Sequence, residues 1–138
     1  MITRIGKGGM GMVYRGLDEA LEREVAVKTL TAVEGTLEDE SRERFEVEAK
    51  AAARLQHPNI VTVFELGEER GMPFIAMELL PGADLETLLR AGDELLLVEK
   101  LEVVVQVCRG LAYAHEHGVV HRDIKPSNIR ILDDGTAK

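Results

Sequence analysis

His121-Arg122-Asp123-Ile124-Lys125-Pro126-Ser127-Asn128 sets a base, a cation and an amide ligand within a few residues of one another. Asp123 is a candidate acceptor for a hydroxyl proton, Lys125 follows two positions later, and Asn128, three beyond that, offers an amide oxygen to a metal. This spacing suits phosphoryl transfer, in which the protein contributes mainly positioning and charge. The rest of the chain reads as machinery for bringing a phosphate donor to this loop.

The chain has 138 residues, a single domain's worth, and a chain of roughly 150 residues buries about two-thirds of its unfolded surface. It is 45% hydrophobic and 30% charged, and no apolar run approaches the roughly 18 residues of a membrane helix. Met1-Ile2-Thr3-Arg4 does not read as a signal peptide, and the single Cys108 allows no internal disulfide, so a reducing, cytoplasmic setting is expected. A net charge of -8 with no basic stripe argues against a nucleic-acid partner. The acid excess gathers at 34–48, where a solvated helix face explains most of it.

Working back to the N-terminus, Gly6-Lys7-Gly8-Gly9-Met10-Gly11-Met12-Val13 fits G-x-G-x-x-G-x-V between two strand-like segments. Glycines here let backbone approach phosphate oxygens, although any tight hairpin uses them equally well. A dinucleotide fingerprint would open a helix and a Walker loop would end in Gly-Lys-Ser/Thr; a strand follows instead. In that strand, 24–30, Val25 and Val27 are expected buried on one face, with Ala26 and Lys28 on the other. Its Val-Ala-Val-Lys resembles the V-A-I-K of protein kinases, whose Lys holds the α- and β-phosphates. A helix is predicted over about 38–55 with Phe45, Ala49, Ala52 and Leu55 on its apolar face. Glu48 falls within that face, where a carboxylate is costly unless paired, and Lys28 is its expected partner.

His57-Pro58-Asn59 breaks the helix, His57 reading as a turn residue bonded to backbone. Strands at about 61–66 and 74–79, joined by a charged turn, bring the count to five strands and one helix. Met77-Glu78-Leu79-Leu80-Pro81-Gly82 reads as a hinge whose backbone at Glu78 and Leu80 suits an adenine edge. Asp84 is expected to cap a short helix at 85–91 that Gly92 ends, with a contact to ribose or substrate as a second role. A long amphipathic helix is predicted over 98–117, with Leu101, Val104, Val105, Cys108, Leu111, Ala112 and His115 recurring along it. His115 and His117, two apart, point to different sides and do not form a metal pair.

Seven elements in order carry a resemblance: the glycine loop, Lys28, Glu48, His57-Pro58-Asn59, the hinge, His121-Arg122-Asp123 and Asn128. Together they resemble a protein kinase domain, and Lys125 places it with the Ser/Thr class. The glycine loop and early Gly82 are similar to bacterial eukaryotic-like Ser/Thr kinases. The resemblance implies an α+β fold: a complete five-stranded N-lobe with one main helix at 1–79, then a hinge and a partial, mainly helical C-lobe at 80–138. It implies ATP and Mg²⁺ as cofactors and a protein Ser or Thr as acceptor. Asp123 would take the hydroxyl proton, Lys125 would neutralise the γ-phosphoryl group, Lys28 and Glu48 would pair, and Asn128 would ligate Mg²⁺. Ile5, Gly6, Gly8, Gly11, Val13, Ala26, Lys28, Met77, Glu78, Leu80 and Asp84 would surround the nucleotide, with Met77 as gatekeeper. Arg122 would pair with a phosphorylated activation loop.

Two features depart from that pattern. The 138 residues contain no Asp-Phe-Gly, which supplies the family's principal Mg²⁺ ligand; Asp133-Asp134-Gly135 come too early and read as a turn. The expectation is therefore a kinase domain cut short by an incomplete gene or a gene fragment, inactive as it stands, with the apolar side of its long helix uncovered. The alternative is a module that binds nucleotide or a protein partner without catalysis. Arg130, where the family places an apolar floor for adenine, is expected on the nucleotide side, stacking on the base or partly blocking the pocket.

Overall fold

The computed structural model describes residues 3–8, 11–30, 39–92 and 96–138. Gly9 and Met10 of the glycine stretch, Ile2, and the 34–38 part of the acidic run and helix start lie outside these residues. Contacts divide the chain into two units, Met1–Arg54 with Thr62–Leu79, and Leu55–Val61 with Leu80–Lys138.

In the first unit, β1 (Thr3–Gly8), β2 (Gly11–Asp18), β3 (Arg23–Leu30), β4 (Val63–Glu69) and β5 (Met72–Glu78) form one antiparallel sheet in the order β1-β2-β3-β5-β4. Two of the hairpins have a local cause among the described residues. Asp18 accepts a hydrogen bond from the Leu21 amide at 3.2 Å between β2 and β3, and Arg70-Gly71, with φ of 52° and 78°, form the tight turn between β4 and β5. Gly11 is required where β2 meets β3, because a Cβ there would overlap the Thr29 carbonyl.

The helix α1 (Asp39–Ala52) packs on this sheet through Phe45 and Ala49, each 1% exposed, which join Leu30 and Ile75 in the core, flanked by Val63 and Leu66. Strand β3 is covered on both faces at its centre: Val25 and Ala26 are both buried, while Val27 and Lys28 are half-buried. The expectation of one buried and one open face at 25–28 is corrected accordingly.

In the second unit, α2 (Leu85–Ala91) runs between its two signals. Asp84 accepts from the Thr87 amide at 2.8 Å, and Gly92 closes it in the left-handed region at φ 73°. The helix α3 (Leu97–Glu116) starts where Glu99 accepts from the Leu96 amide at 2.6 Å. It buries Val103, Gly110 and Ala114, at helical spacing, and leaves largely exposed the Leu101 to Ala112 side, the face expected to lie uncovered. Gly110 faces the carbonyl of Asn59 and the side chain of Ile60, a closeness only a residue without Cβ accommodates. Leu101, Val104, Val105, Cys108 and Ala112 are exposed. The strands β6 (Ala83–Asp84) and β7 (Arg130–Ile131) pair as a short antiparallel ladder. No helix among the described residues is long and apolar enough to cross a membrane.

Candidate active site

The loop that follows α3 is exposed throughout, from His121 to Asn128, and its polar groups turn on one another. Lys125 Nζ lies 2.8 Å from Asp123 Oδ2. Asn128 Nδ2 donates to the same carboxylate oxygen at 3.1 Å and to the Asp123 carbonyl at 2.8 Å. The Asp123 amide in turn donates to His121 Nδ1 at 3.3 Å. Two local causes set this cluster. Pro126 opens a 3₁₀ turn, Pro126–Asn128, that brings Asn128 back over Asp123, and Arg122 takes φ 63°, a left-handed conformation that arginine holds only where its surroundings compel it. The hydrogen bond from Lys125, then that from Asn128, hold the Asp123 carboxyl below the usual aspartate range. It is a carboxylate at neutral pH.

The hairpin after this loop is tied to α3 by side chains that the sequence reading passed over. Asn59 Nδ2 donates to Gln106 Oε1 at 2.9 Å and to the Ala137 carbonyl at 2.8 Å. Gln106 also accepts from the Ala137 amide at 2.8 Å and donates to the Gly135 carbonyl at 3.0 Å. The available signal was Gln106 itself, a polar residue inside the apolar run of 103–107. Asp134 accepts from the Thr136 amide at 2.9 Å, the turn role expected of it. His57 accepts from the Asn59 amide at 3.0 Å and lies against Tyr113, whose ring also stacks with His117.

In the first unit, the sheet register decides which residues share a face. Val13 stands opposite Lys28, which stands opposite Ile75, and Ala26 stands opposite Met77. Residues two apart on a strand share a face, so Val13, Ala26, Lys28 and Met77 lie on one surface of the sheet. Gly6 is opposite Val13, and Ile5 sits in the irregularity of β1, half exposed at 50%. At the end of β5, the Glu78 amide donates to the Thr62 carbonyl at 2.9 Å and its carboxylate accepts from the Thr62 amide at 2.6 Å. The Glu78 N–H is thus engaged within the sheet.

Glu48 departs from its expected place. It is exposed, it forms no ion pair among the described residues, and Lys28 Nζ instead lies 5.9 Å from the centre of the Phe45 ring. The reason is angular. At about 100° per residue, Glu48 stands roughly 60° from Phe45 on the side away from Ala49. The buried stripe of α1 is narrower than the apolar spacing suggested, and it leaves Glu48 on the flank.

The protein kinase domain matches residues 1–138 of this sequence. The chain belongs to the protein kinase family. It is 41% identical over 138 residues to a probable serine/threonine-protein kinase of Streptomyces coelicolor, covering 97% of this chain and 20% of that protein. It is 42% identical over 134 residues to the serine/threonine-protein kinase PrkC of Bacillus subtilis, with the same coverage of 97% and 20%. Among solved structures it resembles the apo form of PpkA-294, with a TM-score of 0.82 and 25% identity over 97% of this chain and 54% of that one. The chain therefore spans about a fifth of the length of these curated relatives.

As a kinase fold, the first unit has the five-stranded antiparallel sheet and packed helix expected of the N-lobe. Asp84 spends both carboxylate oxygens on α2, accepting from the Thr87 amide and, at 2.8 Å, from its hydroxyl. These bonds hold the Asp84 carboxyl below its ordinary range. The Arg130 guanidinium donates to backbone carbonyls at Pro81 and Gly82.

Proposed function

We propose that this chain provides the nucleotide-binding sheet face and catalytic loop of a Ser/Thr protein kinase, which moves the γ-phosphate of ATP to Ser or Thr hydroxyls of proteins. The observation that carries the reading is the cluster of Asp123, Lys125 and Asn128, in which the cation and the amide each lie within hydrogen-bond reach of the carboxylate.

The residues present suit both cofactors. Asn128 commits Nδ2 to Asp123, so Oδ1 is the atom it offers a cation, a hard oxygen of the kind Mg²⁺ prefers alongside phosphate and water. Ala26, opposite Met77, is the small residue of this face, and half-buried Lys28 supplies a cation on the same side of the strand. Bound Mg-ATP supplies the transferable phosphoryl group and the counter-charge for it.

The chain's own residues do the rest. Asp123 accepts the proton of the substrate hydroxyl. Lys125, now bonded to Asp123, is the cation placed to turn toward an arriving phosphoryl group, and its departure raises the basicity of the carboxylate as the hydroxyl proton must leave. Lys28 would hold phosphate oxygens, and Asn128 would hold Mg²⁺.

Phosphotransfer from Mg-ATP to a Ser/Thr peptide by the purified chain, compared with Asp123→Asn, tests the reading. Transfer that disappears in the variant supports it; transfer that Asp123→Asn leaves intact removes Asp123 from the role. A second reading, a module that holds nucleotide without turnover, draws on the position of Lys28 over Phe45 and away from Glu48. Nucleotide binding without transfer favours that one.

A further inference from the structure

Arg130 lies where the backbone of two separated segments already meets. Asp84 stands opposite Arg130 and Ala83 opposite Ile131 in the β6–β7 ladder, and the Leu85 amide donates to the Ile129 carbonyl at 2.8 Å. Gly82, at φ 80°, has no Cβ to overlap the Ile131 carbonyl. Onto this junction Arg130 adds two hydrogen bonds, from Nε to the Pro81 carbonyl at 3.2 Å and from Nη2 to the Gly82 carbonyl at 2.7 Å. Two successive carbonyls are a target for a planar guanidinium, which presents several N–H groups in a fixed fork; an ammonium is a point charge without that geometry. An apolar side chain here would make neither bond.

We propose that Arg130 is a positioning residue, a clamp on two carbonyls that fixes the segment 81–84 to the strand leaving Asn128. The hinge end and the catalytic loop then keep one relative geometry within this unit. The N–H edge formed by Nε and Nη2 is spent on backbone. Asp84 gains from the same arrangement: after the Thr87 bonds, the nearby charge of Arg130 is a further cause of its lowered pKa. The functional meaning of the clamp rests on the kinase reading, because that reading is what makes the hinge end and Asn128 parts of one site. The clamp itself is a property of the chain without nucleotide.

Amide hydrogen exchange on the ligand-free chain, residue by residue, tests it with Arg130→Met and Arg130→Lys. Losing two hydrogen bonds to carbonyls is expected to speed exchange of the Leu85 amide by about tenfold in Arg130→Met. Amides of β2 and β3 should not change. Arg130→Lys, which keeps the charge and loses the fork, should recover part of the protection; it also serves if the Met variant does not fold. Unchanged Leu85 exchange in a folded variant overturns the clamp. So does an equal acceleration across all amides of the second unit, which would mark Arg130 as a general stabiliser. Titration of the same variants with Mg-ATP separates the two ideas. If the unmodified chain binds no nucleotide, the proposed nucleotide-binding role fails while the exchange result still judges the clamp.

Discussion

Phe45→Ala is the substitution for which the structure gives the largest effect. Phe45 is 1% exposed and meets Leu30, Ala49 and Ile75, so its removal deletes the side chain that seats α1 on the sheet. Truncating a buried phenylalanine to alanine costs about 3–5 kcal/mol, from lost transfer energy plus the cavity left behind. Domains are stable by about 5–15 kcal/mol, so this is a large part of the margin. Phe45→Leu keeps most of the volume and should cost less than about 1.5 kcal/mol. Urea unfolding, followed by the midpoint at constant slope, reads both values. The Phe45 ring also underlies Lys28, so Phe45→Leu should loosen the Lys28 side chain while the sheet stays folded. A loss below about 1 kcal/mol in Phe45→Ala would mean that α1 is not held on the sheet by this residue.

Two further outcomes follow from the second unit. Lys125→Met should raise the Asp123 pKa toward the ordinary aspartate value, read by carboxyl carbon NMR against pH; because the folded pKa is depressed, Asp123 contributes stability above the ordinary range and loses it as pH falls through the lowered value. An unshifted titration would show that the Lys125 bond does not govern the carboxylate. Asp84→Ala should cost about 1 kcal/mol by removing the cap of α2, and Asp84→Asn should restore most of it; equal losses in both would point away from capping.

Much of this fold was legible because local chemistry and tertiary structure agree. The sheet follows from alternation and turn residues, and α2 runs between an Asp cap and a Gly stop that any reader of the sequence can place. Where they disagree, the cause is contact with distant chain. Periodicity on α3 marks the apolar side that lies uncovered, but Val103, Val104 and Val105 are consecutive valines and do not show by themselves which of them is buried. The small Gly110 and Ala114, which let the loop carrying Asn59 and Ile60 approach, decide the buried side. Glu48 was read into a stripe whose width only the packed sheet defines. Arg130 could be placed on a strand from sequence, but the carbonyls it reaches lie 48 and 49 residues away. The loop residues Asp123, Lys125 and Asn128 were legible because a few residues of separation force them together whatever the rest of the chain does.

The face shared by Val13, Ala26, Lys28 and Met77 is the proposed nucleotide surface, and calorimetric titration with ATP, with and without Mg²⁺, is its plainest test. Saturable binding is expected, tighter with Mg²⁺ and lost in Lys28→Met at an unchanged melting temperature. Absence of binding by the folded chain, or equal binding by Lys28→Met, would contradict it.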